Sequence, residues 1–316
     1  MHRIVTLTLS PALDSATRIA HLLPDRKLRC SEPSYAPGGG GINVARAIRN
    51  LGGQALAVFP AGGPTGTHLT DLLVAEGVDC RPIPIQAWTR QCFNVEELAH
   101  TQQYRFVLPG ASLSPSEQAA VLNVIATLQP FEYLVISGSL PEGLAGDFIP
   151  RLLAIAHDKG ARSVLDTSGS ALEQAVEAGG LFLIKPSLSE LGHLVGEEIT
   201  QPDQLARVTG NLIRAGKCET LMVSMGAQGA LLATRDRVER IHAPNVKKIS
   251  TVGAGDSLLG AMLLKLTQGT SASEAARYGV AAGSASIMSS GTTLCAKDDT
   301  DQLFAWMQQN HAPLPV

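Results

Sequence analysis

The segment Ser250-Thr251-Val252-Gly253-Ala254-Gly255-Asp256-Ser257 runs directly into LLGAMLLKL, whose apolar residues recur at helical spacing. Gly253 and Gly255 have no side chains, so backbone N–H groups there can approach an anion closely. The N-terminus of the following helix adds partial positive charge. The turn therefore reads as an anion hole able to seat a phosphoryl group in transfer. Asp256 stands at the head of the same helix, where it can take the proton of a substrate hydroxyl while that oxygen attacks phosphorus. A general base of this kind contributes roughly 10²- to 10⁴-fold. The competing reading is an ordinary Asp N-cap behind a glycine turn.

A second cluster, Gly38-Gly39-Gly40-Gly41, leads into a helix carrying Asn43 and offers bare amides with one side-chain amide. It suits the hydroxyls of a sugar, and its bland alternative is a flexible turn. Asp14, just past the first strand, can accept two hydroxyl hydrogen bonds from a polyol or simply form a turn. Neither cluster is GxxxxGK[ST], and no GxGxxG follows the first strand, so P-loop and dinucleotide readings are weak. Anionic charge must then be met by side chains, and Lys27, Arg29, Arg90 and Arg105 are the candidates in flap strands and loops; each is equally explained as surface solvation. In Lys185-Pro186-Ser187-Leu188-Ser189-Glu190, Glu190 can organise magnesium through water or merely complement a helix dipole. Ser224-Met225-Gly226-Ala227-Gln228-Gly229 permits a tight turn against a nucleotide, or a β-hairpin.

These residues need a frame, and the chain supplies an alternating one. RIVTLTL at 3 to 9 reads as a strand stopped by Ser10-Pro11, and Ile42 to Leu51 as a helix stopped by Gly52-Gly53. ALAVFP, YLVISG, SVLDTS, LFLIKP and TLMVSMG read as strands, THLTDLLVAEG and FIPRLLAIAHDKG as helices. Short, continuously apolar strands joined by helices predict an α/β fold with a mostly parallel sheet covered on both faces, where ligands bind beyond the strands' carboxyl ends. Residues 12–36 and 88–108 break the rhythm with strands lacking intervening helices. They read as an antiparallel flap, a lid inserted in a single 1–316 domain. The tail HAPLPV reads as frayed.

Composition agrees. The 316 residues are 45% hydrophobic and 17% charged with 31 glycines, as suits a globular α/β chain. A net charge of −3 favours neither nucleic acid nor an acidic membrane as partner. Cys30, Cys80, Cys92, Cys218 and Cys295 show no metal-ligand or disulfide spacing, which fits reduced thiols in a cytoplasmic protein. MHRIVTLTLSPALD is too short in apolar residues for a signal peptide or span.

Taken together, GGGGINVA at 38–45, KPSLSE at 185–190, SMGAQG at 224–229 and STVGAGDS at 250–257 resemble the PfkB/ribokinase family of carbohydrate kinases. The order and spacing match over nearly the whole chain. LTLSPALD, KLRC at 27–30, WTRQ at 88–91, QYRFVLPG at 103–110 and SGSLPEG at 137–143 are similar, more narrowly, to the bacterial branch that phosphorylates fructose 6-phosphate. The resemblance implies a ribokinase-like fold with a small β-sheet lid. It implies Asp256 as base and Gly253, Ala254 and Gly255 as anion hole. ATP contacts would fall at Lys185, Ser187, Ser224, Gly226 and Gly229. Sugar contacts would fall at Asp14, Gly38, Gly39, Asn43, Arg90 and Ser139, with Lys27, Arg29 and Arg105 as phosphate partners from the lid, some across a homodimer joined lid to lid. It implies Mg²⁺ near Glu190 and K⁺ beside the anion hole at Ser250, Val252, Ser286, Ser289 and Gly291. Two positions depart from the family pattern: Ser250 stands where Asp is frequent, and Ser187 where KPNxxE has Asn.

The expected reaction is transfer from MgATP to a primary hydroxyl of fructose 6-phosphate, giving fructose 1,6-bisphosphate. Kinases of fructose 1-phosphate or tagatose 6-phosphate share the chemistry and differ in hydroxyl placement. A sugar- or nucleotide-binding regulator on the same fold would have lost the base or the glycines, and both are present. An NAD-dependent oxidoreductase ranks last for want of a dinucleotide fingerprint.

Overall fold

The computed structural model describes residues 2–100, 102–289, 293–310 and 314–315. The chain opens with β1 (Ile4–Leu7), then β2 (Ala12–Ile19) and β3 (Ser34–Gly38). Next come α1 (Gly40–Asn50), β4 (Leu56–Ala61), α2 (Gly63–Ala75), β5 (Asp79–Pro84), β6 (Arg90–Glu97) and β7 (Gln102–Val107). Alternation resumes with α3 (Pro115–Thr127), β8 (Tyr133–Ser137), α4 (Phe148–Asp158), β9 (Arg162–Asp166), α5 (Ser170–Ala178), β10 (Leu181–Ile184), α6 (Leu188–Val195), α7 (Pro202–Arg214) and β11 (Cys218–Ser224). A 3₁₀ turn at Gly226–Gln228, β12 (Ala230–Thr234), β13 (Val238–Ile241), α8 (Ala254–Thr267), α9 (Ala272–Ile287), α10 (Lys297–Asn310) and β14 (Leu314–Pro315) follow.

The large sheet has the order β14-β13-β12-β11-β10-β9-β8-β1-β4-β5. Its stretch from β11 to β5 is parallel throughout, and β12, β13 and β14 add antiparallel pairs at one edge. Parallel strands with helices on both faces must be apolar on both sides. That is why the runs show no polar alternation: on β8, Leu134 and Ile136 join one apolar cluster while Val135 joins the other. The first cluster packs under α1, α2, α8 and α9; the second under α3, α4, α5, α6 and α7. The order reverses at β1, whose neighbours β4 and β8 lie on opposite sides, and a crevice opens there beyond the carboxyl ends.

The small sheet runs β3-β2-β6-β7. The flap expectation needs one correction: β2 pairs with β3, and β6 with β7, in antiparallel fashion, but β2 and β6 are parallel. The chain leaves β3 through α1, β4, α2 and β5 before returning as β6, a crossover long enough for parallel pairing. Within the tail, Leu314 and Pro315 pair with Arg240 and Glu239 of β13, while residues 311–313 and 316 lie outside the described residues.

Candidate active site

Five parallel strands end on one rim. Beyond them lie Ser137, Gly138 and Ser139 after β8, Asp166 to Ser168 at β9, Lys185 and Ser187 after β10, and Ser224 at β11, all lining a cleft of about 560 Å³ with residues after β1. The small sheet forms the facing wall. Strand pairing puts Ala12 beside Arg90, Asp14 beside Cys92, and Asn94 beside Arg105, so one face carries Asp14, Arg90 and Arg105 together into the cleft.

The STVGAGDS segment folds as its composition requires. Gly253 is the N-cap of α8 with φ 74°, a left-handed conformation that costs a residue with a side chain. A Cβ there would also fall 2.3 Å from Leu294. The first intrahelical bond of α8 runs from Ser257 N–H to the Gly253 carbonyl at 2.8 Å. The amides of Ala254, Gly255 and Asp256 precede it and have no partner within the helix. They sit at the positive end of a 14-residue helix.

Asp256 is not the cap of α8, because Gly253 holds that position and Asp256 is the third residue of the helix. Its Oδ2 instead accepts a hydrogen bond from Asn43 Nδ2 at 2.9 Å. The two helices meet because Gly260 has no side chain: a Cβ would stand 2.9 Å from the Val44 carbonyl of α1. Burial first, and then the nearby Asp166 carboxylate, push the Asp256 carboxyl up to about 7, while the Asn43 bond, Lys185 and Arg105 pull the other way. A carboxyl with this balance can accept a proton near neutrality.

Asp14 lies opposite. Burial raises it to about 6 against the pull of Arg105, Arg46 and Arg90. Among the described residues neither of its oxygens has a hydrogen-bond donor, so both can receive hydroxyls. Gly38 makes room for it, because a Cβ at that position would lie 2.4 Å from Asp14 Oδ2. The glycine cluster is thus a closely packed helix start and not a loose turn: Thr8 Oγ1 accepts from the Ile42 amide at 2.8 Å, and Gly39 and Gly40 line the cleft. Arg90 is held by the carbonyls of Ser10 and Leu108 and donates to Ser139 Oγ at 3.2 Å. Its Nε is buried with no protein acceptor, an orphan donor of the sort an anionic ligand satisfies.

On the other side of the cleft, Ser187 caps α6 in a reciprocal box: its Oγ accepts from the Glu190 amide, and Glu190 Oε2 accepts from the Ser187 amide at 2.7 Å. The helix-dipole reading of Glu190 is correct, and its carboxylate also lines the cleft with its second oxygen outside the box. The turn after β11 is a β-hairpin turn as well: Gly226 is exposed on it, and Gly229 lies against the Ile241 carbonyl of β13.

Of the expected site residues, Asp14, Gly39, Asn43, Arg90, Arg105, Ser139, Lys185, Ser187, Glu190, Ser224, Val252, Gly253 and Asp256 share the cleft. Gly38, Ala254 and Gly255 stand directly behind its lining. Lys27 and Arg29 do not join it, both being exposed on the loop between β2 and β3, and Gly226 and Gly229, on the turn after Ser224, are also outside its lining. The potassium positions gather at one corner. The Ser250 amide donates to the Ile287 carbonyl at 3.2 Å, Ser250 Oγ accepts from the Val252 amide, Ser286 Oγ donates to the Val252 carbonyl at 3.4 Å, and the Ser289 amide donates to the Ser286 carbonyl at 3.3 Å. Hydroxyl and carbonyl oxygens of this kind suit a hard monovalent cation. Gly291 lies outside the described residues.

Sequence reading missed Asp166. Its Oδ1 pairs with Lys185 Nζ at 2.9 Å, and the pair is well buried. Burial alone would lower Lys185, but the Asp166 charge and hydrogen bond outweigh it and raise the ammonium above its ordinary value. The only sequence signal was an acid at the carboxyl end of an apolar strand.

A parallel sheet with a topological switch, unpaired helix amides, a proton acceptor and an arginine-lined wall define a phosphotransferase acting on a polyol phosphate. The pfkB family carbohydrate kinase model matches residues 8–299, and the chain belongs to that family. It is 46% identical over 309 residues to the ATP-dependent 6-phosphofructokinase isozyme 2 of Escherichia coli (strain K12), covering 98% of this chain and 100% of that protein. The crystal structure of phosphofructokinase-2 from Escherichia coli in complex with fructose-6-phosphate superposes with a TM-score of 0.93 at 44% identity, covering 98% of this chain and 100% of that one. The same enzyme in complex with potassium gives 0.94 at 46% identity, with the same coverage. Among the described residues no helix is long and apolar enough to cross a membrane.

Proposed function

We propose that this chain is an ATP-dependent kinase that converts fructose 6-phosphate into fructose 1,6-bisphosphate. The observation that carries the reading is the Asp256 carboxyl beside three helix amides without helical partners, in one cleft with Asp14, Arg90 and Arg105. The likeness to the Escherichia coli enzyme supports the choice of acceptor.

In this reading the 6-phosphate lies against Arg90 and Arg105, and Lys27 and Arg29 reach it from a second copy. Asp14, Gly39, Asn43 and Ser139 take the sugar hydroxyls, and Gly38 keeps space for the Asp14 carboxylate. The primary hydroxyl at C1 faces Asp256. As its oxygen bonds to the γ-phosphorus and the bond to ADP breaks, Asp256 takes the proton. The amides of Ala254, Gly255 and Asp256 offset the charge gathering on the phosphoryl oxygens. Lys185, Ser187, Ser224, Gly226 and Gly229 would hold the nucleotide, and Glu190 would hold its magnesium. Mg²⁺ commonly binds through one or two carboxylates plus substrate phosphate. The metal supplies charge neutralisation when bound. Ser250, Val252, Ser286 and Ser289 would hold K⁺, which supplies positive charge that shapes the anion-hole loop.

The small sheet acts as a lid that keeps water from the phosphoryl group. Its outer face carries Phe93 and Phe106 side by side on β6 and β7, 39% and 47% exposed, with Tyr35 at the same register on β3 beyond Ser15 of β2. This aromatic row supports a homodimer joined lid to lid. The five free cysteines support the reducing cytoplasm as its compartment.

ADP release measured with fructose 6-phosphate, fructose 1-phosphate, tagatose 6-phosphate and unphosphorylated sugars tests the proposal. The highest kcat/KM is expected for fructose 6-phosphate. A higher value for any other acceptor would reassign the enzyme.

A further inference from the structure

Arg46 lies on α1 at i+3 from Asn43, so the two side chains share one face of the helix. Only 8% of Arg46 is exposed. An arginine is rarely buried to this extent without partners, and it cannot shed its charge. Each of its three nitrogens has an acceptor. Nε and Nη2 donate to the two oxygens of Glu76 at 2.6 and 2.7 Å. Nη1 donates to the Pro37 carbonyl at 3.0 Å and, more loosely, to Asn43 Oδ1 at 3.4 Å. Glu76 is the C-cap residue of α2, with about a third of its side chain exposed.

The chain of bonds has one possible direction. Glu76 only accepts and Arg46 only donates, so the oxygen of the Asn43 amide must face Arg46. Its nitrogen is then left to donate to Asp256, as observed at 2.9 Å. With the amide reversed, two donors would meet at Arg46 and two acceptors at Asp256. An ion pair between a buried arginine of α1 and a partly exposed glutamate of α2 thereby fixes which end of an amide meets the base.

We infer that the Arg46–Glu76 pair is a positioning device for catalysis: it locks the Asn43 amide so that its N–H supports the ionised, proton-accepting form of Asp256. This inference rests on the reading of Asp256 as general base. Four other surroundings bear on the same carboxyl. Burial and Asp166, at the end of β9, raise it; Lys185 after β10 and Arg105 on β7 lower it along with Asn43. The arrangement at Arg46 leaves those groups untouched, but Arg46 also lowers the Asp14 carboxyl across the cleft; Glu76→Gln keeps the Arg46 charge and so separates the two effects. Losing the lock weakens the Asn43 bond to the carboxylate and moves proton uptake to higher pH.

The test is the pH profile of kcat for the full-length enzyme with fructose 6-phosphate and MgATP. Arg46→Met should shift the acid limb upward by roughly one pH unit, which lowers kcat by about 10-fold at pH 6 and by about 2-fold at pH 8, with a smaller change in either KM. Arg46→Lys should recover part of the loss. Glu76→Gln, a change at the edge of the surface that keeps one acceptor, should move the limb in the same direction by less, and it carries the test if Arg46→Met does not fold. Unmoved limbs in Glu76→Gln and Arg46→Lys would overturn the inference alone, as would losses confined to melting temperature. A wild-type limb that survives in the residual activity of Asp256→Asn would instead remove the general-base reading, and this inference with it.

Discussion

Replacing Asp256 by Asn should lower activity and raise stability together. Asparagine keeps the shape and can still accept the Asn43 N–H, so the α1–α8 contact survives. What it loses is the ability to take a proton, for which a drop in kcat of about 10²- to 10⁴-fold is expected, equal to roughly 3–5 kcal/mol of transition-state stabilisation. The stability term follows from the carboxyl's rise from 3.8 to about 7. A group that binds its proton more tightly when folded costs stability as pH rises above its unfolded value, and the full cost is reached above the folded value. The rise corresponds to at most about 4 kcal/mol, and solvent access through the cleft reduces this to roughly 1–2 kcal/mol. Asp256→Asn should therefore melt about 1.5–3 °C higher than wild type at pH 8 and within about 1 °C of it at pH 4. Coupled assay of ADP release and thermal melting at the two pH values read both effects. A kcat within tenfold of wild type, or a gain in melting temperature that does not shrink as pH falls, would refute the reasoning.

Arg90→Ala should raise KM for fructose 6-phosphate by about 10- to 100-fold with little change in KM for ATP, because a charge-assisted contact to the sugar phosphate is worth roughly 1.5–3 kcal/mol; equal changes in both constants would reassign Arg90. Gly253→Ala should cost about 1–3 kcal/mol through its left-handed backbone and should abolish most turnover by displacing the α8 amides. Chemical denaturation with a parallel kcat measurement checks this, and normal turnover would show that those amides do not bind the transferring group. Gly260→Ala should push α1 from α8 at the Val44 carbonyl, lowering both melting temperature and kcat; a loss of stability with unchanged kcat would separate that contact from catalysis.

The parallel core was legible because its strands are buried on both faces and so read as unbroken apolar runs, as with Leu181–Ile184 and Tyr133–Ser137. The glycine turn at the head of α8 was legible because small residues before a helical run leave few conformations. Contacts that depend on distant segments were not. Asp166 meets Lys185, and Arg46 meets Glu76, only through tertiary packing, and a lone acid at a strand or helix end has no motif of its own. The parallel pairing of β2 with β6 was missed because flap strands without intervening helices suggest hairpins, while the crossover that joins these two lies in the main body. α3, by contrast, carries a readable start in Ser114-Pro115-Ser116-Glu117, whose capping box forms in the structure and was not among the helices expected. Lys27 and Arg29 show the limit of charge counting: their basic side chains lie on an exposed loop, and the cleft of their own chain does not include them.

The most direct test is a crystal structure of the enzyme with fructose 6-phosphate and a non-hydrolysable ATP analogue. The account predicts the C1 hydroxyl oxygen within about 3.2 Å of the Asp256 carboxylate, with the terminal phosphate of the analogue on the Ala254 and Gly255 amides. A C1 hydroxyl directed away from Asp256, or a terminal phosphate bound elsewhere than the head of α8, would contradict it.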